Sequence, residues 1–373
     1  MPAARPRGRG GRRALPVAAA GDRESSGRRD CRGRRPRGDH GPLSGRGGSP
    51  PVSVGPFPVD PRVAPRIDAR RAAVGPPLEA SLEALLAERR RDPATAETIA
   101  AVDVDRLVAA HELESARELA LLALPLAARR ARPPLSGYRV GVVGLDDAGD
   151  LVLGANLEFP GADLGSTIHA EGFASLRARS RGSCLRVLAL TEAHPCAHCR
   201  QTLVESAGAD ALEVIDPLGH TLRLWDLYPW AFSPAALGIE PDDPARPAQP
   251  ALALPSNDLP ATVAEALMAA GRRAHAPYSR CPSAVVMRLR DGRLLAAGCV
   301  ESVSFNPTIT AMQAALVELA AVDPAGEDIE AAWLGRVRDG QVDPEPGARA
   351  LLAAVAPSIE LNVVEWQVPG SRS

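Results

Sequence analysis

Three residues with metal-binding side chains and one carboxylate stand close together between positions 169 and 199. Glu171 follows His169 by two positions, and Cys196 and Cys199 form a C-x-x-C pair after a proline. Two thiolates and one imidazole suit zinc, and three protein ligands leave a fourth tetrahedral position open for water. A zinc-bound water has a pKa lowered towards about 7 and supplies hydroxide at neutral pH. The residue types therefore predict a hydrolytic zinc site.

The spacing of these residues agrees with that chemistry. Cysteines three positions apart in the first turn of a helix project to one side, and the positive end of the helix favours their thiolates. Glu171 can sit beside the water without ligating the metal, so it can act first as base and then as acid. Two alternatives are a redox C-x-x-C pair and a structural zinc closed by His194 or His198. Neither alternative gives Glu171 a role.

Short elements of alternating type are predicted around these residues. Residues 138–145 and the segment LVLGANLEF predict a hairpin. After it we expect a helix from Thr167, a strand over 185–193, a helix from Cys196 and a strand over 211–217. This β-β-α-β-α-β order predicts an α/β layered domain over residues 136–233. Residues 61–135 predict a helical lead-in. Its first helix is expected from about residue 77, where Leu82, Leu85 and Leu86 have helical spacing, and Pro93 limits it.

The same order of elements recurs later in the chain. A Pro- and Asp-rich linker is predicted over 234–260, and residues 261–368 repeat the helix, the strand pair and the next helix. We expect Tyr278, Glu301 and the helix from Thr308 to correspond to Tyr138, Glu158 and the helix from Thr167. Thr310 and Met312 then stand where His169 and Glu171 would align, and no P-C-x-x-C follows. Cys281 and Cys299 are predicted to be small buried residues. The second copy therefore cannot build the zinc site.

The composition limits the partners and the compartment. The sequence has no lysine, and its first 50 residues carry 13 Arg against four acids, while the whole chain has a net charge of -2. Residues 1–60 are rich in Arg, Gly and Pro and are predicted to be disordered. Such a tail could bind nucleic acid, but only Phe57 is available there for base stacking, so we expect no such partner. No apolar run reaches the roughly 20 residues of a membrane span, and six cysteines do not form a disulfide framework. We expect a cytoplasmic location without membrane contact.

The motifs together resemble those of cytidine deaminases, and in particular the two-domain, homodimeric bacterial form. The H-x-E and P-C-x-x-C pair matches the signature of zinc deaminases, and LSGYRVGV, GANLEF, TIHAE, PCAHCRQ and FNPT resemble the family's stretches in order over residues 64–368. The resemblance implies a three-layer αβα sandwich around a mixed sheet, present twice per chain, with one zinc per chain in the first copy. It implies a homodimer in which Phe305 reaches the partner's pocket. Ala193 and His194, where Tyr and Thr are usual, and Gly172 depart from the family pattern.

The resemblance also implies a substrate and its contacts. Zinc-bound hydroxide would attack C4 of cytidine or 2′-deoxycytidine, and Glu171 would shuttle protons, giving uridine or 2′-deoxyuridine and ammonia in pyrimidine salvage. Asn156 and Glu158 would bind the ribose, since they alternate on one strand face, and Tyr138 and Ala170 would complete the substrate pocket. Another nucleoside or a nucleotide remains the alternative substrate, although Glu158 would repel a phosphate.

Overall fold

The computed structural model describes residues 57–191, 194–255, 259–323 and 328–368. Its two sheets belong to two halves of the chain, which we call the first half (57–233) and the second half (261–368). The tail predicted to be disordered lies outside the described residues except at its end. There, Val59 forms an antiparallel bridge with His220 and the Asp60 N–H donates to the Gly219 carbonyl. Residues 57–60, which the prediction assigned to the tail, therefore belong to the described part of the first half.

The elements of the first half begin with helices. They are α1 (Val63–Arg89), β1 (Thr98–Ile99), α2 (Ala101–Ala110), α3 (Ala116–Arg129), β2 (Gly141–Asp146), β3 (Leu151–Ala155), α4 (Ala170–Ser180), β4 (Leu185–Leu190), α5 (Ala197–Val204), β5 (Glu213–Ile215), β6 (Thr221–Arg223) and α6 (Leu224–Leu227). The six strands form one sheet in the order β1-β3-β2-β4-β5-β6, in which only β4 and β5 are parallel.

The second half has a smaller set of elements. They are α7 (Ala261–Arg273), β7 (Ala284–Leu289), β8 (Leu294–Gly298), α8 (Ala311–Val322), β9 (Ile329–Val337), α9 (Glu345–Val355) and β10 (Leu361–Trp366). Its sheet has the order β10-β9-β7-β8, with β9 and β10 parallel. Both sheets are mixed and both are flanked by helices, so the predicted duplicated α/β sandwich is confirmed.

Alternate residues of each central strand point to different helical layers. In β2, Val143 and Leu145 pack in a core with α1 and α3, whereas Val142 packs in a core with α4. In β7, Val286 packs with α7, whereas Val285 packs with α8 and α9. This period of two puts apolar side chains on both faces of the sheet, which is what a layer between two helical layers requires.

Two elements of the lead-in differ from the prediction. The spacing of Leu82, Leu85 and Leu86 predicted a helix from about residue 77, but α1 starts at Val63 and continues through Pro76 and Pro77. Prolines remove backbone donors and usually break a helix. Here the first turns of α1 are fixed to α3 by ion pairs between Arg66 and Glu118. Strand β1 also extends the first sheet from within this predicted helical segment.

The halves pack against each other through α4 and α8. At their contact Arg177 of α4, which is fully buried, forms an ion pair with Glu318 of α8. Beside it, Glu205 at the end of α5 accepts hydrogen bonds from the Tyr278 hydroxyl and the Val303 N–H. No helix in the described part of the chain is long and apolar enough to span a membrane.

Candidate functional site

Two helix N-termini meet at the predicted zinc ligands. His169 is the N-cap of α4, and Cys196 is the N-cap of α5 with Cys199 one turn further along. Helix α4 approaches β3 closely because Gly154 has no side chain: a Cβ there would lie 2.5 Å from the Ala170 carbonyl oxygen. The bare strand thus lets the start of α4 pack directly on the sheet.

The three ligand atoms lie at the spacing of a tetrahedral metal site. His169 Nδ1 is 3.2 Å from Cys199 Sγ and 3.5 Å from Cys196 Sγ, and the two sulfurs are 3.6 Å apart. Zn–S bonds of about 2.3 Å and Zn–N bonds of about 2.0 Å give tetrahedral edges of roughly 3.8 Å between sulfurs and 3.5 Å between nitrogen and sulfur. The donor set therefore fits zinc in both chemistry and size.

The thiols have unequal proton affinities. The contact with the Cys199 thiol lowers the pKa of Cys196 to about 4. The same contact, together with burial, raises the pKa of Cys199. Two adjacent thiols cannot both ionise easily unless a cation lies between them, and a divalent metal would favour both thiolates.

Glu171 lies in the first turn of α4 beside this trio. Its side chain is only 5% exposed, and burial raises the pKa of its carboxyl. It is not part of the ligand group, which consists of His169, Cys196 and Cys199. A buried carboxyl next to a metal position can hold and release a proton near neutral pH.

The proposed fourth ligands of a structural zinc site lie elsewhere. The His198 ring stacks on His169 with centroids 6.2 Å apart, and the His194 ring lies against His220 with centroids 5.4 Å apart. Neither belongs to the group formed by His169, Cys196 and Cys199. Three ligands leave a position for water, as a catalytic site requires.

Asn156 shapes the loop that precedes strand β2. Its side-chain oxygen accepts from the Val140 N–H at 2.9 Å, and its amide donates to the Tyr138 carbonyl at 3.0 Å. These bonds fix the backbone of residues 138–140 and leave the Tyr138 ring 59% exposed. Ala170, by contrast, is fully buried.

Glu158 closes the turn before this loop. It accepts the N–H groups of Leu135 and Ser136 at 2.8 and 2.9 Å and the Ser136 hydroxyl. Although partial desolvation opposes them, these bonds lower the pKa of Glu158, so the carboxylate is charged. In the second half Glu301 accepts the same three bonds from Tyr278 and Ser279. Tyr278 therefore corresponds to Leu135 and not, as expected from the sequence, to Tyr138.

The second half lacks the ligands at the equivalent helix start. Thr310 is the N-cap of α8, as His169 is of α4, and Met312 occupies the place of Glu171. Cys281 and Cys299 are buried free thiols. Phe305 is 65% exposed and has a positive φ of 65°.

Long-range contacts of the site were missed from the sequence. Gln313 of α8 donates to the carbonyls of Gly165 and Ser166, just before His169. Arg200 donates to the Pro195 carbonyl at 2.7 Å, just before Cys196. Neither contact has a local signal, because each depends on how distant elements pack.

Comparisons with known proteins agree with this geometry. Two family models, both described as a cytidine and deoxycytidylate deaminase zinc-binding region, match residues 114–213 and 224–349. Cytidine deaminase of Shewanella amazonensis is 35% identical over 256 residues, or 69% of this chain and 85% of the relative. Cytidine deaminase of Vibrio cholerae is 32% identical over 267 residues, or 71% and 88%.

A solved structure is similar over a shorter range. The crystal structure of cytidine deaminase from Mycobacterium tuberculosis is 35% identical and covers 29% of this chain and 89% of its own, with a TM-score of 0.27.

The fold and the family models define a zinc-binding hydrolytic deaminase. Within that class, the chain belongs to the cytidine deaminase family. The resemblance stated from the motifs is thereby confirmed, and so are the enzyme class and the zinc cofactor.

Proposed function

We propose that this enzyme hydrolyses cytidine and 2′-deoxycytidine to uridine and 2′-deoxyuridine with release of ammonia. One zinc ion per chain would be held by His169, Cys196 and Cys199. The observation that carries the proposal is the spacing of the three donor atoms, 3.2 to 3.6 Å, next to a buried carboxyl. When bound, zinc supplies a water whose pKa is lowered towards neutrality.

Glu171 is the proposed proton carrier. Its carboxylate would accept one proton of the attacking water and deliver it to N3 of the pyrimidine. It would then take the proton of the new C4 hydroxyl and pass it to the amino group, which leaves as ammonia. Its position in the first turn of α4, two residues from His169, supports this role. Its burial also supports it, because a raised pKa lets the carboxyl hold the proton between the two transfers.

Glu158 and Asn156 are proposed to select a free nucleoside. A carboxylate has about four lone-pair sites, and the turn at Leu135 and Ser136 uses three hydrogen bonds. A ribose 3′-hydroxyl can donate to the remaining site. The negative charge of Glu158 would repel a phosphate nearby. Tyr138 and Ala170 are proposed to complete the substrate pocket.

Assembly and cellular role are part of the same proposal. We infer a homodimer in the cytoplasm, acting in pyrimidine salvage, with Phe305 reaching the partner's pocket. The exposure of the large apolar side chains of Phe305 and Leu164, 65% and 75%, supports a covered surface there. Analytical ultracentrifugation should give a dimer, and Phe305→Ala should raise KM without loss of zinc. A monomer with full activity would contradict this inference.

The deciding experiment is a substrate panel with purified enzyme. Cytidine and 2′-deoxycytidine should both be converted, as followed by their ultraviolet spectra, whereas cytosine, cytidine monophosphate and adenosine should react far more slowly. Zinc-loaded protein that leaves cytidine unchanged would refute the proposal. Faster turnover of the monophosphate would favour a nucleotide deaminase.

Deleting residues 1–56 should leave turnover intact, and loss of RNA binding on that deletion would revive the nucleic-acid alternative.

A further inference from the structure

A second group of metal-binding side chains lies beside the first but shares no residue with it. The ligand atoms offered by His194, Asp216 and His220 are all within 4.8 Å of one another. His194 lies between β4 and α5, two positions before Cys196. Asp216 directly follows β5, and His220 directly precedes β6. The group thus joins the turn at one edge of the first sheet to the segment that leads into α5.

Asp216 fixes the His220 ring. One oxygen of its carboxylate accepts the backbone N–H groups of Leu218, Gly219 and His220, and the other lies 2.7 Å from His220 Nδ1. Since a carboxylate only accepts, Nδ1 carries the proton and donates it. In the neutral ring, the second nitrogen, Nε2, then carries a free lone pair.

This lone pair is buried without a partner. His220 is 3% exposed, and its Nε2 has no hydrogen-bond partner among the described residues. A buried acceptor without a hydrogen-bond partner is destabilising, so we expect an occupant at this nitrogen. The neighbouring His194 ring lies edge-on, with centroids 5.4 Å apart and planes at 79°.

In carboxylate–histidine–metal sites, a carboxylate accepts a hydrogen bond from one ring nitrogen of the histidine, and the other ring nitrogen binds the metal. Asp216 and His220 have this arrangement, with the His194 ring next to His220. We propose that His220, through Nε2, and His194 bind a second divalent transition-metal ion, such as Zn²⁺, with Asp216 orienting His220. Imidazole suits zinc, nickel and copper better than magnesium or calcium. Two protein ligands with water in the other positions make this site weaker than the cysteine site, so it fills only when free metal rises.

Occupancy would stiffen the approach to the main site. His194 precedes Pro195, whose carbonyl is held by Arg200 at 2.7 Å. An ion between His194 and His220 would tie this segment to the β5–β6 turn, which also pairs with Val59. A ligand that binds only the folded state raises the melting temperature in a saturable way. We therefore expect the melting temperature of the zinc-loaded enzyme to rise further with micromolar zinc.

The test is equilibrium dialysis of the zinc-loaded enzyme against micromolar zinc, with metal counted per chain. One further ion should bind, and His194→Ala or His220→Ala should weaken that binding by about tenfold or more, with loss of the extra thermal shift. Asp216→Asn should weaken it less. His111→Ala, at the end of α2, is the matched control and should bind the further ion normally.

Two results would overturn the proposal. One is zinc-loaded enzyme that takes up no further ion, which would indicate a buried water at Nε2. The other is a further ion that persists in both histidine variants. His194 is only half-buried, so its variant remains informative if His220→Ala does not fold. The count of further ions does not depend on whether cytidine is the substrate.

Discussion

The two halves share a backbone and differ in chemistry. In each, an antiparallel strand pair is followed by a helix, a strand, a helix and a parallel strand, and the inner strand pairing shifts at the same place, after Leu145 and after Arg288. Glu158 and Glu301 accept the same three bonds from the turn before the first strand. Among the described residues, only the first half has His and Cys side chains grouped at its helix starts.

The difference is concentrated at one helix start. The Thr310 hydroxyl caps α8 by accepting from the Gln313 N–H, while His169 makes no capping bond with its side chain. In the first half the N-cap position thus gives up helix stabilisation and offers a ligand atom instead. A helix without its side-chain cap loses about 1 kcal/mol.

Replacing His169 by threonine, the N-cap of α8, should have the largest effect on zinc binding and turnover. His169→Thr gives the first half the N-cap of the second, so we expect loss of zinc and of all measurable turnover. In the metal-free state the variant should be as stable as the unchanged chain, or more stable by up to about 1 kcal/mol, because threonine caps well. Metal analysis and urea unfolding of both metal-free proteins check this. A variant that keeps one zinc per chain would show that His169 is not a ligand.

The next largest effect is expected on kcat, from a substitution of Glu171 that removes proton transfer but not metal binding. Glu171→Gln should keep the zinc and lower kcat by about 10² to 10⁴-fold, since positioned acid–base groups contribute that much. Met312→Leu, at the equivalent position of α8, is the control and should keep full turnover, because the swap conserves volume. The metal content and the single-turnover rates of both variants test this prediction. Unchanged kcat in Glu171→Gln would place the proton carrier elsewhere.

The paired glutamates offer a closer comparison. Glu158→Gln and Glu301→Gln should cost similar stability, because both weaken the same three hydrogen bonds of the turn. Only Glu158→Gln should raise KM for cytidine, by about 10- to 100-fold, as expected for a lost bond to a charged acceptor. Thermal melts and steady-state kinetics of both variants test this. Equal KM values in the two variants would mean that Glu158, like Glu301, serves only the turn.

Local signals in the sequence pointed to the residues that lie together at the candidate site. His169, Glu171, Cys196 and Cys199 each lie in the first turn or at the cap of a helix, and short-range spacing marks such positions. The order of elements from β2 to β5 also follows local periodicity. Strands β1 and β6, of two and three residues, are too short for a period of two to be visible.

The remaining features depend on packing between distant segments. Helix α1 continues through Pro76 and Pro77, where prolines usually break a helix. The register of Tyr278 is set by bonds to Glu301, 23 positions away, which a shared residue type at Tyr138 cannot indicate. His220 and Asp216 meet His194 only because β5 lies beside β4 in the sheet. Sequence patterns report neighbours along the chain, and these contacts join neighbours in space.

The smallest predicted effect concerns a contact by which the second half would help the first half to retain zinc. Gln313 donates to the Ser166 carbonyl at 3.2 Å, while its own oxygen accepts from the Thr310 N–H at 2.9 Å. Gln313→Glu keeps the second bond, since glutamate suits this position of a capping box, and removes only the donor to the loop before His169. Losing a bond worth about 1 kcal/mol should weaken zinc retention against a chelator by a few-fold.

The matched control for Gln313→Glu lies on the far edge of the second sheet. Asn362 donates its side-chain amide to the Ala332 carbonyl at 3.2 Å, so Asn362→Asp removes a similar donor without touching the loop. It should leave zinc retention unchanged. If both variants release zinc equally fast, the effect comes from a general loss of stability in the second half. If only Gln313→Glu releases zinc faster, then Gln313 of the second half helps to position His169 of the first half.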